Sequence, residues 1–186
     1  MPVKTEKEKM LSGELYLTMD PELDGDRNRA HALVNLYNQT TDQTKKGEIL
    51  SQLFAQFNAN SMIESPFYCA YGYNIHVGSN VYINFGCVFL DCNRIEIGDN
   101  TLIGPYVQIY TPNHTTNPQI RLSRQELSAP IKIGNNVWIG GGAIICPGVT
   151  IGDNTTIGAG SVVTKNVPAN VVAAGNPCQV IKELEV

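Results

Sequence analysis

The chain has 186 residues, 42% of them apolar, a formal net charge of −4 and an isoelectric point near 5.3. This length suits one domain with a substantial core, and the scattered lysines and arginines form no basic stretch of the kind that binds nucleic acid. No stretch approaches the ~20 apolar residues of a membrane span, and the charged N-terminus MPVKTEKEKM lacks the apolar segment of a secretion signal, so we expect a soluble cytoplasmic protein.

The first 60 residues contain the only helical periodicity. We predict helices over residues 5–17, with Gly13 as a weak point, from residue 24 past residue 37, and over residues 46–57. Residues 1–60 are therefore predicted to form a helical cap. The third helix has an apolar stripe made of Ile49, Leu50, Leu53, Phe54 and Phe57.

Residues 61–186 follow a period of six. Aliphatic residues recur at Ile133, Ile139, Ile145, Ile151, Ile157 and Val163. Four positions after each come Val137, Ala143, Val149, Thr155, Ser161 and Val167. An earlier ladder consists of Val77, Ile83 and Phe89, followed by Ile97, Ile103 and Ile109. A short repeat sustained in this way predicts a β-solenoid whose coils stack their aliphatic side chains into one core.

The recurring triplets GSN, GDN and GNN suit turns in which φ is positive. An ordinary β-sandwich is the alternative, but its strands would be spaced more widely and less regularly.

One long interruption, residues 110–130, breaks the repeat. Insertions of this length inside a compact domain are usually functional or disordered. This one contains His114 between Pro112 and Pro118, which should stiffen it. A histidine that simply faces solvent is the alternative.

Nearly the whole chain resembles the maltose and galactoside O-acetyltransferases, a branch of the hexapeptide-repeat acyltransferases. The segments that carry the resemblance are EKEKMLSGELY, YGYNIHVG, INFGCVFLD, the His114 insertion, IGNNVWIGG, PGVTIGDN and AAGNPCQVI. It implies a left-handed parallel β-helix, with handedness taken from the family, and a homotrimer whose active sites lie between subunits.

The resemblance also implies an acetyl-CoA-dependent O-acetyltransferase with no tightly bound cofactor. By motif match His114 is the general base, Gly141 supplies an N–H to the oxyanion, and Asn84 places hydroxyl and thioester. The alternative for Asn84 is a turn asparagine within the coil. Trp138 should face outward beside the acceptor and the pantetheine arm.

The same matching assigns substrate and coenzyme contacts. The acceptor residues would be Ala70, Tyr82, Asp91 and Glu126, and Glu126 favours maltose or glucose because galactoside-type members differ there. Ala70 departs from relatives that have a polar side chain. Coenzyme A would contact Asn84, Trp138, Gly141, Ala159, Thr164, Lys165, Gln179 and Lys182. Family members often have arginine at Gln179, which removes one phosphate contact that the lysines could replace.

No metal is expected, because the histidines are only His31, His76 and His114, with His31 in the cap. Five cysteines without a CxxC pair suit reduced thiols with no catalytic role. Two other functions stay open at this point: acetylation of an antibiotic or other hydroxylated small molecule, and a non-catalytic scaffold.

Overall fold

A computed structural model describes residues 3–185 and opens with helix α1 (Glu6–Ser12). Its N-terminus has a capping box, in which Thr5 and Glu8 each bond the other's backbone N–H. Gly13 then adopts φ 75, a left-handed conformation that terminates the helix. The helix predicted over residues 5–17 is therefore too long, and Tyr16–Leu17 forms strand β1 instead.

Two further helices complete the cap: α2 (Pro21–Gln39) and α3 (Gln43–Leu53). The Asp42 side chain accepts from two backbone N–H groups, so α3 begins earlier than its apolar stripe indicates. It also ends earlier than predicted, and Gln56–Phe57 is already a strand of the solenoid. Parallel strand pairing thus starts before the expected boundary at residue 61.

Three sheets form the sides of the solenoid, and successive strands pass from sheet 1 to sheet 2 to sheet 3 and back. Sheet 1 contains β2 (Gln56–Phe57), β5 (Ile75–Val77), β8 (Ile95–Ile97), β13 (Ile131–Ile133) and β16 (Thr150–Ile151). Sheet 2 contains β3 (Met62–Ile63), β6 (Tyr82–Ile83), β9 (Leu102–Ile103), β14 (Trp138–Ile139), β17 (Thr156–Ile157), β19 (Val171–Ala174) and β20 (Gln179–Glu183). Sheet 3 contains β4 (Phe67–Cys69), β7 (Cys87–Leu90), β10 (Gln108–Tyr110), β15 (Ile144–Ile145) and β18 (Val162–Val163).

The six-residue ladder is confirmed as the core. Stacked aliphatics such as Ile97 and Ile133 are register partners in parallel strands, and both point inward. The residues four positions later, such as Val137 and Ser161, are buried at the corners. Every ladder residue named from the sequence is buried.

The predicted turns are also confirmed. Asn80, Asn100, Asn136 and Asn154 all adopt positive φ between sheets 1 and 2. Their side chains bond in two pairs along the stack: Asn80 Nδ2 donates to Asn100 Oδ1 at 3.2 Å, and Asn136 Nδ2 donates to Asn154 Oδ1 at 2.9 Å.

Both ends of the solenoid are covered. At the first coil, the Asn38 side chain on α2 accepts from the Phe67 N–H and donates to its carbonyl, both at 2.9 Å. At the last coil, β20 turns back and pairs antiparallel with β19. Within residues 3–185, no helix is both long and apolar enough to cross a bilayer.

Candidate functional site

The interruption of the repeat is an ordered arm and not a plain loop. It contains β11 (Pro112–Asn113), helix α4 (Pro118–Leu122) and β12 (Gln125–Ser128). Strands β11 and β12 form an antiparallel hairpin, and β1 from the N-terminal segment pairs with β12 as a third strand. The arm therefore leaves the corner between sheets 3 and 1 and is held there by the start of the chain.

His114 directly follows β11 on this arm, and its side chain is 56% exposed. Its Nε2 atom lies 3.4 Å from Oε1 of Glu126 on the facing strand. The other carboxylate oxygen of Glu126 accepts a hydrogen bond from the Tyr16 hydroxyl at 3.0 Å. The arm thus places an accessible imidazole against an anchored carboxylate.

A cavity of about 350 Å³ opens beside this pair. Two predicted acceptor residues, Ala70 and Glu126, line it. Residue patterns gave no indication of its other walls, most of which come from the N-terminal segment and the ends of sheet 3 strands. These are Tyr16, Thr18, Met19, Arg27, Tyr71, Leu90, Cys92 and Pro112.

Asp91 does not line the cavity in this chain, and its assignment as a direct acceptor contact stays a prediction. The residue is fully buried, and its carboxylate accepts backbone N–H bonds from Ala70, Tyr71 and Asn74. Burial raises the pKa of Asp91 to about 7, although these hydrogen bonds act in the opposite direction. Its role is to fix the turn that lines the cavity.

Tyr82 and Trp138 lie elsewhere, on the outer surface of sheet 2. They belong to one row of register partners, and Trp138 is 55% exposed, as the outward position predicted. The Tyr82 hydroxyl points toward Glu64 at 3.5 Å and not into the cavity. The whole row is Met62, Tyr82, Leu102, Trp138 and Thr156.

Asn84 follows β6 in the same sheet. Its side-chain oxygen accepts from the Phe85 N–H at 2.8 Å, as a turn asparagine does. Its amide nitrogen donates to no acceptor in the part of the chain that the structure describes. Asn84 therefore acts as a turn residue through its oxygen, while its amide nitrogen stays available to donate to a ligand.

Gly141 occupies the corner between sheets 2 and 3. Among the described residues no protein acceptor takes its N–H, whereas the neighbouring Gly140 and Gly142 N–H groups are both bonded. A Cβ on Gly141 would lie 3.1 Å from the Pro105 carbonyl oxygen, so the position is crowded. Ala159 is exposed one coil further along at the same corner.

The remaining coenzyme candidates divide between two places. Gln179 and Lys182 are exposed on β20, where they pair with Ala174 and Val172 of sheet 2. Thr164 and Lys165 are exposed after β18, at the corner between sheets 3 and 1.

A single chain does not assemble these groups. His114, Glu126 and Lys165 belong to the corner between sheets 3 and 1, whereas Asn84 and Gly141 lie at the sheet 2 end of the sheet 3 strands. Within one chain, the arm therefore leaves His114 apart from Asn84 and Gly141.

The thiols are poorly suited to nucleophilic attack. Burial raises the pKa of Cys92, the cysteine that lines the cavity, to about 12, and that of Cys87 to about 11. Over residues 3–185, no three His, Cys, Asp or Glu side chains are grouped so as to hold a metal ion.

Two known family profiles match segments of the chain. One, described as the maltose acetyltransferase hexapeptide capping motif, matches residues 9–58. The other, six repeats of the bacterial transferase hexapeptide, matches residues 130–165. They coincide with the helical cap and with the second ladder.

Similar proteins cover the chain from end to end. The structure of a maltose O-acetyltransferase from Clostridium difficile 630 is 52% identical, with 100% of both chains covered and a TM-score of 0.95. A galactoside acetyltransferase in complex with coenzyme A is 42% identical, covering 98% of this chain and 92% of that one, again with a TM-score of 0.95. Nodulation protein L of Rhizobium meliloti (strain 1021) is 49% identical over 179 residues, 95% of this chain and 98% of its own. The solenoid is accordingly a left-handed parallel β-helix, as predicted.

Proposed function

Since the chain belongs to the maltose and galactoside O-acetyltransferase family of hexapeptide-repeat enzymes, we propose that it acetylates a sugar hydroxyl with His114 as general base. Acetyl-CoA-dependent O-acetyl transfer itself is the activity of the family, so a non-catalytic scaffold is set aside. The observation that carries the proposal is His114 beside Glu126 at the 350 Å³ cavity.

The chemistry needs a base because a sugar hydroxyl is a weak nucleophile at neutral pH. His114 takes the hydroxyl proton while the oxygen attacks the thioester carbonyl carbon. The resulting oxyanion accepts a hydrogen bond from the Gly141 N–H, which has no protein acceptor among the described residues. The intermediate then collapses: the carbon–sulfur bond breaks, and the thiolate recovers the proton from the imidazolium, leaving the acetylated sugar and free coenzyme A.

The acceptor is assigned to the cavity beside His114. Glu126 supplies a carboxylate there, which can accept from sugar hydroxyls. Arg27, Tyr71 and Thr18 add polar groups to a wall that is otherwise largely apolar. Glu126 favours a maltose- or glucose-like acceptor, because galactoside-type members differ at this position.

Acetyl-CoA is assigned to the surface of sheet 2 and its corner with sheet 3. Trp138 offers an exposed aromatic wall for the pantetheine arm, and Ala159 leaves room beside the coil. Asn84 places the thioester. The exposed ammonium group of Lys182 on β20 suits a phosphate there, whereas Lys165 would meet a phosphate at the corner between sheets 3 and 1.

These two half-sites lie at opposite ends of sheet 3 in one chain, which supports a homotrimer. The outer face of sheet 1 is polar, with Glu96 and Lys132 in register. The outer row of sheet 2 is largely apolar, and its corner with sheet 3 exposes Phe85 and Tyr106. Packing sheet 2 of one chain against sheet 3 of the next closes a ring and carries His114 to the neighbour's coenzyme surface.

The cellular location proposed is the cytoplasm, where acetyl-CoA is present. All five cysteines are free thiols, as a reducing compartment favours.

The test is a panel of sugars and hydroxylated antibiotics offered with acetyl-CoA, with released thiol as the readout. We expect maltose or glucose to be acetylated, and His114→Ala to lower kcat/KM by about 100- to 10,000-fold. His31→Ala is the matched control, since His31 is exposed on α2 and does not line the cavity. Near-normal turnover by His114→Ala would contradict the assignment of the base.

Light scattering tests the assembly separately. We expect three times the chain mass of 20.3 kDa, and a monomer at assay concentration would contradict the shared site.

A further inference from the structure

Tyr16 connects the N-terminal segment to the reactive arm. It lies opposite Glu126 in the antiparallel pairing of β1 with β12, and it is fully buried. Burial, together with the nearby Cys92 and Glu126, strongly raises the pKa of Tyr16, so its hydroxyl keeps its hydrogen at any working pH. That hydrogen is donated to Oε2 of Glu126 at 3.0 Å.

The same carboxylate faces His114 with its other oxygen. Glu126 is 22% exposed and held by Tyr16, whereas the imidazole is 56% exposed. A carboxylate can only accept, so the nitrogen that faces it at 3.4 Å, Nε2, is the one that carries hydrogen. The lone pair then belongs to Nδ1.

We infer that Tyr16 and Glu126 are positioning residues for His114: Tyr16 orients Glu126, and Glu126 holds the imidazole with Nδ1 directed at the acceptor. The inference rests on the proposed role of His114 as base. Glu126 also stabilises the imidazolium that forms when Nδ1 takes the proton, as an orienting carboxylate does in other base-assisted acyl transfers. The segment that caps the solenoid thereby becomes part of the catalytic machinery.

Glu126 lines the cavity as well, so a purely acceptor-binding role is the competing explanation. The positioning role and the acceptor-binding role predict different kinetics for variants of Glu126. Loss of a binding contact raises the acceptor KM at unchanged kcat, whereas loss of orientation lowers kcat.

The kinetic test uses the full chain at saturating acetyl-CoA with maltose or glucose varied. We expect Glu126→Gln to lower kcat roughly 10- to 100-fold, beyond any rise in acceptor KM from its own contact with the sugar. Tyr16→Phe, which removes no acceptor contact assigned above, should lower kcat a few-fold with acceptor KM changed by less than about twofold. In the double variant, kcat should equal that of Glu126→Gln alone, because Tyr16 acts through Glu126. Tyr37→Phe is the matched control: it also removes a buried hydroxyl, one bonded to the Ile63 carbonyl, and should leave kcat unchanged.

A spectroscopic readout does not depend on turnover. Long-range proton–nitrogen NMR of the free protein should show neutral His114 as the Nε2–H tautomer, and a mixture of tautomers in Glu126→Gln.

A rise in acceptor KM at constant kcat, additive losses in the double variant, or an Nδ1–H tautomer in the wild type would each overturn the inference. Failure of the proposed function looks different: the wild type would acetylate no sugar, or His114→Ala would stay active.

Discussion

The carboxylate of Asp91 accepts a hydrogen bond at 2.8 Å from the backbone N–H of Tyr71, 20 residues earlier in the chain. Two more backbone N–H groups, those of Ala70 and Asn74, converge on the same side chain. Ala70 and Tyr71 line the cavity beside His114, so this buried carboxylate shapes one wall of the cavity.

Replacing this carboxylate should cost stability. Asp91→Ala leaves buried N–H groups without an acceptor, and we expect the free energy of unfolding to fall by about 2–4 kcal/mol. Urea denaturation measures it. Asp42→Ala, which removes an exposed helix cap, should cost only about 1 kcal/mol. Equal losses in the two variants would show that the turn is held by other contacts.

The raised pKa of Asp91 also determines how the stability of the fold should depend on pH. Because the folded-state pKa of Asp91 is raised to about 7 from 3.8, the folded chain binds a proton that the unfolded chain has already released. The contribution of Asp91 is therefore fully present below about pH 4 and is lost as pH rises to about 7. Urea midpoints of the wild type minus those of Asp91→Asn should decline across this window and become flat above it. If the difference in urea midpoint rose with pH instead, the pKa of Asp91 would be lowered on folding and the prediction would be wrong.

Coil stacking should be sensitive to a single methyl group. A Cβ on Gly98 would lie 2.6 Å from the backbone carbonyl of Gly134 on the next coil, and neither backbone can retreat. We expect Gly98→Ala to lower the thermal midpoint by several degrees. Gly47→Ala is the opposite control: nothing lies within 4 Å of that Cβ inside α3, so alanine should stabilise by about 0.5–1 kcal/mol.

Coenzyme affinity should respond to charge on β20. Gln179 is exposed beside Ala174, so Gln179→Arg can add a charge-assisted contact to a phosphate and should lower the KM for acetyl-CoA about two- to tenfold. Gln56→Arg adds the same charge to the exposed face of sheet 1 and should leave that KM unchanged. An equal effect from both variants would indicate general attraction and no defined contact.

The ladder could be predicted from the sequence because each coil needs an aliphatic side chain pointing inward and a small residue at the corner. These two residue types therefore recur at a fixed spacing. Ile139 and Val163 are buried for that local reason. The pairing of Tyr16 with Glu126 could not be predicted, since it joins residues 110 positions apart through a strand of two residues. No periodicity marks so short a strand.

The site residues divide in the same way. Trp138 follows from its place in the repeat, whereas the burial of Asp91 depends on a turn from the preceding coil that approaches it in space. A motif match transfers residue identity, but it does not reveal which backbone groups surround the side chain.

The covered ends of the solenoid have a consequence for self-association. A parallel sheet with an open edge can template further strands without limit, which is how fibrils grow. Here Asn38 occupies both backbone groups of Phe67 at one end, and β20 runs antiparallel along β19 at the other. An arriving parallel strand meets a side-chain amide at the first edge and a reversed strand at the second. These contacts therefore oppose end-to-end growth of the solenoid and leave its sides as the surfaces through which copies of this chain can associate.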